Sequence, residues 1–348
     1  MKLLVVSNMY PSKSAPGYGT FVKNFCDQAQ TMGCDVKLAV MQKKSGKLGK
    51  LFAYVGFYLK SFFGCLFGKQ DIVYVHYASH SSPGVLLARK LRKFTIYTNC
   101  HGSDVIPQNK SQEKMQKNTR AILAYSQKII VPSDFFQRTV AEKYNIDPSR
   151  LFVCASGGVD PDIFYPAPAQ KPPFTVGFVS RLISGKGWEV LLKACAKLPD
   201  QDFRILMVGG GPDEKKVLAL AEELQLSGRV VLAGEQPQAA LPGFLNQMDV
   251  FVFPTTLAES LGLVALEAMA CGIPVVASDF GAPADYISEG ANGYKFPAGD
   301  TDALANVLTA VRNLPEQTRK TLQEGAIATA RDFTRQQVSE RMEKILME

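Results

Sequence analysis

The 348-residue sequence is short of the groups from which metal centres and disulfide frameworks are made. Its three histidines, His76, His80 and His101, stand at no metal-ligand spacing from any cysteine. The seven cysteines are scattered and odd in number, and no Cys-x-x-Cys pair occurs. Reduced core thiols in a cytoplasmic protein are the expectation. The apolar start, Met1–Ser7, turns polar too soon for a signal peptide and reads as a first β-strand. Neither common nucleotide loop is present. Ser180 stands where a Walker loop needs its first glycine, and Gly187 where it needs Ser or Thr. Gly209-Gly210-Gly211-Pro212 misses the dinucleotide spacing at Glu214. No nucleic-acid reader motif appears, so nucleic acid is not an expected partner.

What is present describes a globular protein. Hydrophobic residues make up 46% and charged residues 20%, which excludes a disordered chain. The formal net charge of +7 favours anionic partners: nucleotides, phosphorylated lipids or a membrane surface. Short apolar runs alternate with helical segments from end to end, the pattern of parallel sheets with right-handed crossovers. The alternation is interrupted once. Phe164–Pro173 holds four prolines in ten residues and reads as an extended linker. The sequence therefore predicts two doubly wound α/β domains: residues 1–165, a linker at 166–173, and residues 174–333. An amphipathic helix is expected near the end of the chain, over Gln336–Met347. Such sheets bind ligands beyond the carboxyl ends of their strands, and the natural site is the cleft between the domains.

One segment departs from the alternation. Lys43, Lys44, Lys47 and Lys50 precede Leu51–Phe67, an aromatic-rich run in which Lys60 is the only charge. Two readings stand side by side: a helix lying on an anionic membrane surface, and a buried helix of the first domain.

The chemistry gathers in loops after strands. Arg181 and Lys186 follow the strand Phe174–Val179 and suit a phosphate clamp, a guanidinium fork beside a mobile ammonium. Pro254–Ser278 reads as loop, helix, stop and strand. Glu259 precedes a helix predicted over Leu261–Ala270, and the N–H groups of Ser260, Leu261, Gly262 and Leu263 would face a phosphate. Glu267 lies inside that helix, towards its apolar side, where a carboxylate needs a partner. Vicinal ribose hydroxyls would supply two donors. His101 follows the strand Phe94–Asn99, and Gly19 lies in the first strand–helix connection, where backbone can approach phosphate closely.

These residues carry a resemblance. Glu259 to Glu267 with Ala268-Met269-Ala270-Cys271-Gly272-Ile273-Pro274 resembles the signature of glycosyltransferase family 4, the glycosyl transferases group 1. The Arg181/Lys186 loop, Ser156-Gly157-Gly158-Val159-Asp160 and His101-Gly102-Ser103-Asp104 match the same family in order. Gly157 stands where the family usually has Asn, Asp285 where it often has Glu, and Tyr18 interrupts the early glycine pair. The resemblance implies the GT-B fold, with two Rossmann-like domains and a terminal helix, 334–348, packed back on the first. It implies that Arg181 and Lys186 bind the donor diphosphate, Glu267 the ribose and Glu259 the donor sugar, with His101 reaching that sugar and Gly19 the phosphate. It also implies a metal-independent, retaining enzyme with no cofactor. Asp160-Pro161-Asp162, though it spells an Asp-x-Asp metal motif, is not read as one.

The sequence-level expectation is transfer of a hexose from a UDP- or GDP-sugar to a lipid-linked or soluble glycan in surface polysaccharide assembly. The protein would be cytoplasmic and peripheral on the inner membrane face through Lys43–Phe67. The alternatives are a nucleotide-sugar epimerase of the same fold and a non-catalytic two-domain sugar- or nucleotide-binding protein.

Overall fold

The computed structural model describes residues 1–168, 173–200 and 202–347. It divides into two compact units, Met1–Gly157 with Val338–Glu348, and Gly158–Gln337. The central part of the proline-rich linker, residues 169–172, lies outside the described residues.

Unit 1 is built on a six-stranded sheet: β1 (Lys2–Tyr10), β2 (Asp35–Gln42), β3 (Ile72–His76), β4 (Thr95–Asn99), β5 (Lys128–Val131) and β6 (Leu151–Val153). The spatial order is β2-β1-β3-β4-β5-β6, and every pairing is parallel. Apolar runs such as Ile72–Val75 are buried throughout, as strands covered on both faces must be. Helix α1 (Thr20–Thr31) follows β1, and α2 (Lys47–Phe67) follows β2. The final helix, Arg335–Met347, buries Val338, Met342, Ile345 and Leu346. Met342 Sδ accepts from the buried Tyr74 hydroxyl at 3.7 Å, and Lys128 Nζ donates to the Ile345 carbonyl at 2.7 Å.

Unit 2 repeats the plan: β7 (Phe174–Val179), β8 (Phe203–Val208), β9 (Val230–Leu232), β10 (Val250–Phe253), β11 (Val275–Ser278) and β12 (Gly293–Phe296), ordered β12-β11-β10-β7-β8-β9. The chain leaves β7 towards β8 and returns on its other side at β10, so the order reverses between β7 and β10. At the start of this unit, Asn246 ties the irregular segment down. Its amide donates to the Tyr165 carbonyl at 3.2 Å, and its Oδ1 accepts from the Ala167 N–H at 2.8 Å.

Several elements differ from the sequence pattern. The helix expected over Leu261–Ala270 begins at Leu263, because Gly262 takes φ +76° and turns the chain into it. The Lys114–Tyr125 pattern is two helices, Lys110–Lys114 and Gln116–Tyr125, separated at Met115. Two elements carry too little periodicity to read, three-residue β6 and β12 with Lys295 in its middle; the helix Asp134–Tyr144 was readable but missed, with Ser133 as its N-cap and Phe136, Val140 and Tyr144 spaced by four. All seven cysteines are buried free thiols, and burial pushes Cys26 and Cys65 up to about 12.

Helix α2 fits neither of its two readings in simple form. It buries one narrow stripe, Phe57, Ser61 and Cys65, and packs against the helix Pro83–Leu91. Its other face is open: Phe52 is 71% exposed, and Leu59 and Phe63 are each 51% exposed.

Gly177 in β7 tests how tightly the second core is closed. A Cβ there would stand 1.9 Å from Met248 Sδ. Gly177→Ala is expected to destabilise by about 1–3 kcal/mol in urea unfolding. Combined with Met248→Ala, it is expected to cost less than the sum of the two single changes.

Candidate active site

The reversal of strand order in unit 2 brings together two loops, Ser180–Gly187 after β7 and Pro254–Gly262 after β10. Open α/β sheets hold ligands at such reversals, outside the carboxyl ends of the strands. Glycine lets these loops close. Gly187 has φ +81°, and a Cβ on it would lie 1.8 Å from the Pro254 carbonyl oxygen. The Thr256 N–H donates to the Gly185 carbonyl at 2.8 Å, and the Thr255 hydroxyl donates to the same carbonyl at 3.2 Å.

Closure of the loops delivers Lys186 Nζ to Glu259 Oε1 at 2.5 Å, with both side chains largely buried. Thr255 Oγ1 stands 3.4 Å from the same carboxylate oxygen. The Glu259 backbone is held as well, its carbonyl accepting from the Ala282 N–H at 3.3 Å. Arg181 is exposed and lines a cavity of about 300 Å³ with Gly209, Gly210, Gly211 and Gln236. The glycine turn is packed onto the cation loop: a Cβ on Gly209 would meet the Ser180 carbonyl oxygen at 1.9 Å. The turn that failed as a dinucleotide fingerprint therefore shares a cavity with Arg181 of the predicted phosphate clamp, while Lys186 pairs with Glu259 and is not among the cavity's lining residues.

Glu267 points inward from the helix Leu263–Ala270 and is 4% exposed. Burial raises its pKa to about 7, against the opposing effects of the Gln238 amide and the nearby Arg335 charge. Gln238 Nε2 donates to Glu267 Oε1 at 2.7 Å. Arg335 also pairs with Asp160 Oδ2 at 2.5 Å, which gives the first carboxylate of Asp160-Pro161-Asp162 a structural partner. Because the helix starts at Leu263, Ser260 and Leu261 are loop residues. The helix N-terminal donors belong to Leu263 and its successors, a correction to the expectation. The Tyr286 hydroxyl secures this loop end at the Leu261 and Gly262 carbonyls, at 3.2 and 3.3 Å.

Gly19 and His101 belong to unit 1. Gly19 has φ +78°, and a Cβ there would be 2.6 Å from the Met9 backbone, so this turn is glycine because it presses on the end of β1. Phe21, two residues on, packs against the His101 ring at 4.3 Å between centroids, the two planes tilted by 45°. His101 is partly exposed, and its Nε2 lies 3.0 Å from Nδ1 of fully buried His76. Packing around the ring lowers the His101 pKa to about 3, so the imidazole is neutral at physiological pH. Asp104 shapes the turn that carries it. One carboxylate oxygen accepts the N–H groups of His101 and Gly102 at 3.0 and 2.8 Å, and the other accepts Ala78 N–H at 2.9 Å.

The structure thus joins Lys186 to Glu259 directly and sets Glu267 on the helix that follows. Sequence reasoning missed Gln238, Thr255, Tyr286 and His76. Of these, His76 carried a readable signal: it ends β3 as His101 follows β4, at the same carboxyl edge of the sheet.

Comparisons with known proteins bear on the family and the fold. A family model for "Glycosyltransferase Family 4" matches residues 17–163, and one for "Glycosyl transferases group 1" matches residues 160–328. The colanic acid biosynthesis glycosyltransferase WcaL of Escherichia coli (strain K12) is 27% identical over 292 residues, 78% of this chain and 70% of that protein. A D-inositol 3-phosphate glycosyltransferase of Mycobacterium avium (strain 104) is 28% identical over 290 residues, 77% and 67% of the two chains. In fold, the chain is similar to Anabaena Alr3699/HepE solved with UDP-glucose. The TM-score is 0.79 at 21% identity, covering 100% of this chain and 99% of that one.

The buried Glu267 predicts a pH dependence. Its folded-state pKa lies above the ordinary carboxyl value of 4.5, so between 4.5 and about 7 the folded protein binds the extra proton. Stability is then fully present below 4.5 and falls as pH rises through 7, by about 3 kcal/mol. Glu267→Gln is expected to remove this component in urea midpoints measured across that range.

Proposed function

The chain belongs to glycosyltransferase family 4, with the α/β GT-B fold, and we propose that it transfers a hexose with retention from a nucleoside diphosphate sugar. The observation that carries the proposal is the Lys186–Glu259 pair at the strand-order reversal of unit 2, with Arg181 on the adjoining loop and Glu267 buried on the next helix. Arg181 and Lys186 take the diphosphate, Glu267 the ribose hydroxyls, and Glu259 the hydroxyls of the donor sugar. The loop and helix start from Ser260 to Leu263 lie along the phosphates, and the family resemblance assigns Gly19 to the phosphate and His101 to the sugar. Its neutral imidazole suits a hydrogen-bonding role there. The UDP and UDP-glucose complexes of HepE support a UDP-sugar, with GDP as the other base to be screened.

In the proposed reaction the bond between the anomeric carbon and the diphosphate oxygen breaks, and its electron pair leaves with the phosphate. The acceptor hydroxyl attacks the oxocarbenium-like carbon from the same face. Its proton passes to the departing phosphate oxygen. The two cations stabilise the charge that develops, the work a metal ion does elsewhere, so turnover is expected to persist in chelator. Glu259 positions the sugar and is not the nucleophile, unlike the carboxylate of a retaining glycosidase.

The acceptor is proposed to be a lipid-linked glycan in surface polysaccharide assembly, a reading supported by the WcaL relative. The protein would work at the cytoplasmic membrane face, touching anionic lipid through Lys43–Phe67. The inositol-phosphate relative supports a second reading, a small soluble acceptor.

Lys186→Ala and Glu259→Ala are each expected to lower turnover by about 10²–10³-fold; each leaves its largely buried partner unpaired, so the melting temperature of the unliganded protein is expected to fall as well, and circular dichroism at the assay temperature checks that the fold is kept. The assay is release of nucleoside diphosphate, with the anomeric configuration of the product read by NMR. Release that needs no acceptor would favour the epimerase, and near-normal rates in both variants would sink the assignment. A donor screen by thermal shift identifies base and sugar.

A further inference from the structure

Unit 1 carries a second built feature away from His101. From Val36 to Ser103 the sequence holds nine lysines and two arginines against one carboxylate, Asp71. That carboxylate is already engaged, accepting the Lys2 N–H at 2.7 Å. Helix α2 runs through this acid-poor region with its open apolar face, Phe52, Val55, Leu59 and Phe63, spaced by three and four residues. Leu87 and Leu91 extend the exposed apolar surface on the adjoining helix, Pro83–Leu91, next to Lys90. At 21 residues α2 is long enough to cross a bilayer, but its Phe57–Ser61–Cys65 stripe is packed into unit 1, so any membrane contact would be through a helix lying in the interface.

Beside that face, between α2 and the end of β2, lies a cavity of about 370 Å³. Phe57 and Met41 contribute apolar wall, and Lys44 and Lys60 bring two cationic side chains; Gln42 also lines it, its amide N–H donating to the Pro11 carbonyl at 3.3 Å. Gly56 completes it, one turn before Lys60. Glycine inside a helix costs about 1 kcal/mol relative to alanine, so its presence asks for a reason. At Gly64 the reason is packing, since a Cβ would come 3.2 Å from Leu4 Cδ2. At Gly56 nothing lies within 4 Å of the same position. Its missing side chain leaves the notch open to the cavity.

We infer that this cavity receives the phosphate or diphosphate headgroup of the acceptor lipid, with the hydrocarbon chain lying along Phe52, Val55, Leu59 and Phe63. The inference rests on the lipid-linked acceptor proposed above. Two cationic side chains at one cavity match a multiply charged phosphate better than the single charge of a phosphodiester lipid. The apolar stripe beside them selects an amphiphile over a free ion or a nucleic acid. The cavity opens at the carboxyl end of β2, the same sheet edge that carries His101. Three interstrand spacings separate β2 from β4, about 14 Å, which the glycan between lipid phosphate and acceptor hydroxyl has to span.

The test is flotation of the full chain with three kinds of phosphatidylcholine vesicle: undoped, doped with phosphatidylglycerol, and doped with a polyprenyl diphosphate at matched surface charge. The wild type is expected to bind both anionic kinds, and the diphosphate kind about tenfold more tightly. Gly56→Leu, which fills the notch, and Lys44→Ala with Lys60→Ala are expected to abolish that preference, and Gly56→Leu to keep phosphatidylglycerol binding. Gly56→Ala is expected to keep the preference and raise the melting temperature. Thermal shift with UDP, unchanged in every variant, reports that the donor unit is intact. Excess inorganic diphosphate is expected to erase the preference. A preference that survives Gly56→Leu or inorganic diphosphate overturns the cavity as a phosphate site. Equal binding to the two anionic vesicles also overturns it, while leaving the membrane reading standing. No flotation with any vesicle removes both.

Discussion

A carboxylate withdrawn from water has to be given a partner, and the candidate site is arranged around that requirement twice. Glu259 has the ammonium of Lys186, and Glu267 has the amide of Gln238. Neither partner could reach its carboxylate without the backbone geometry beneath it. Gly187 admits the Pro254 carbonyl and lets the two loops close, and Gly262 turns the chain so that the next helix carries Glu267 inward. Without a ligand, the site answers its own charges. In the proposed reaction a donor enters by exchange: sugar hydroxyls replace Lys186 at Glu259, ribose hydroxyls replace Gln238 at Glu267, and Lys186 is released towards phosphate. Part of the gross binding energy is then spent on separating the existing pairs, which lowers affinity but holds the groups near the positions they need.

The two units reach this end by different strand orders, 2-1-3-4-5-6 in unit 1 and 3-2-1-4-5-6 in unit 2, that share one feature. In each, the strand order reverses beside the first strand of the sheet, β1/β3 in unit 1 and β7/β10 in unit 2, and the glycine-bearing loop after that strand borders the reversal. The units differ in what surrounds it. Unit 2 sets cations and carboxylates against each other at short range, whereas unit 1 has a neutral histidine pair and, elsewhere on its surface, a long basic stretch with a single carboxylate. Charge in unit 2 is spent locally. In unit 1 it is left facing solvent, where it can act only on something outside the protein.

Much of this was legible in the sequence because the signals were local. Alternating apolar runs gave the two parallel sheets, and the strand-end positions of Arg181, Lys186 and Glu259 followed from the strands before them. Glu267 was readable as an inward carboxylate from its place relative to Leu263 and Val264. The exact helix start was not, because Gly262 acts through its φ and leaves no mark in hydrophobic periodicity. Gln238 could not be found, since it meets Glu267 across 29 residues of sequence from a short turn of mixed composition. His76 was passed over because a lone histidine ending a strand looks like core until its distance to His101 is known. The two readings of α2 stayed open for a related reason: composition says that a helix is apolar, but only packing says that a single narrow stripe of it is covered.

The assignment of Val338–Glu348 to unit 1 has a consequence for how the chain is made. Domains generally fold as they emerge during synthesis, the N-terminal one first. Here the first sheet leaves the ribosome early but lacks Val338, Met342, Ile345 and Leu346, and with them the acceptor of the Tyr74 hydroxyl, until residues 158–337 have been translated. Unit 2 has no such wait. The vectorial order of synthesis is therefore inverted at the level of completion: the unit begun first is finished last. Until then its apolar seat stays uncovered, and removing the final helix is felt in a sheet made far earlier in the chain.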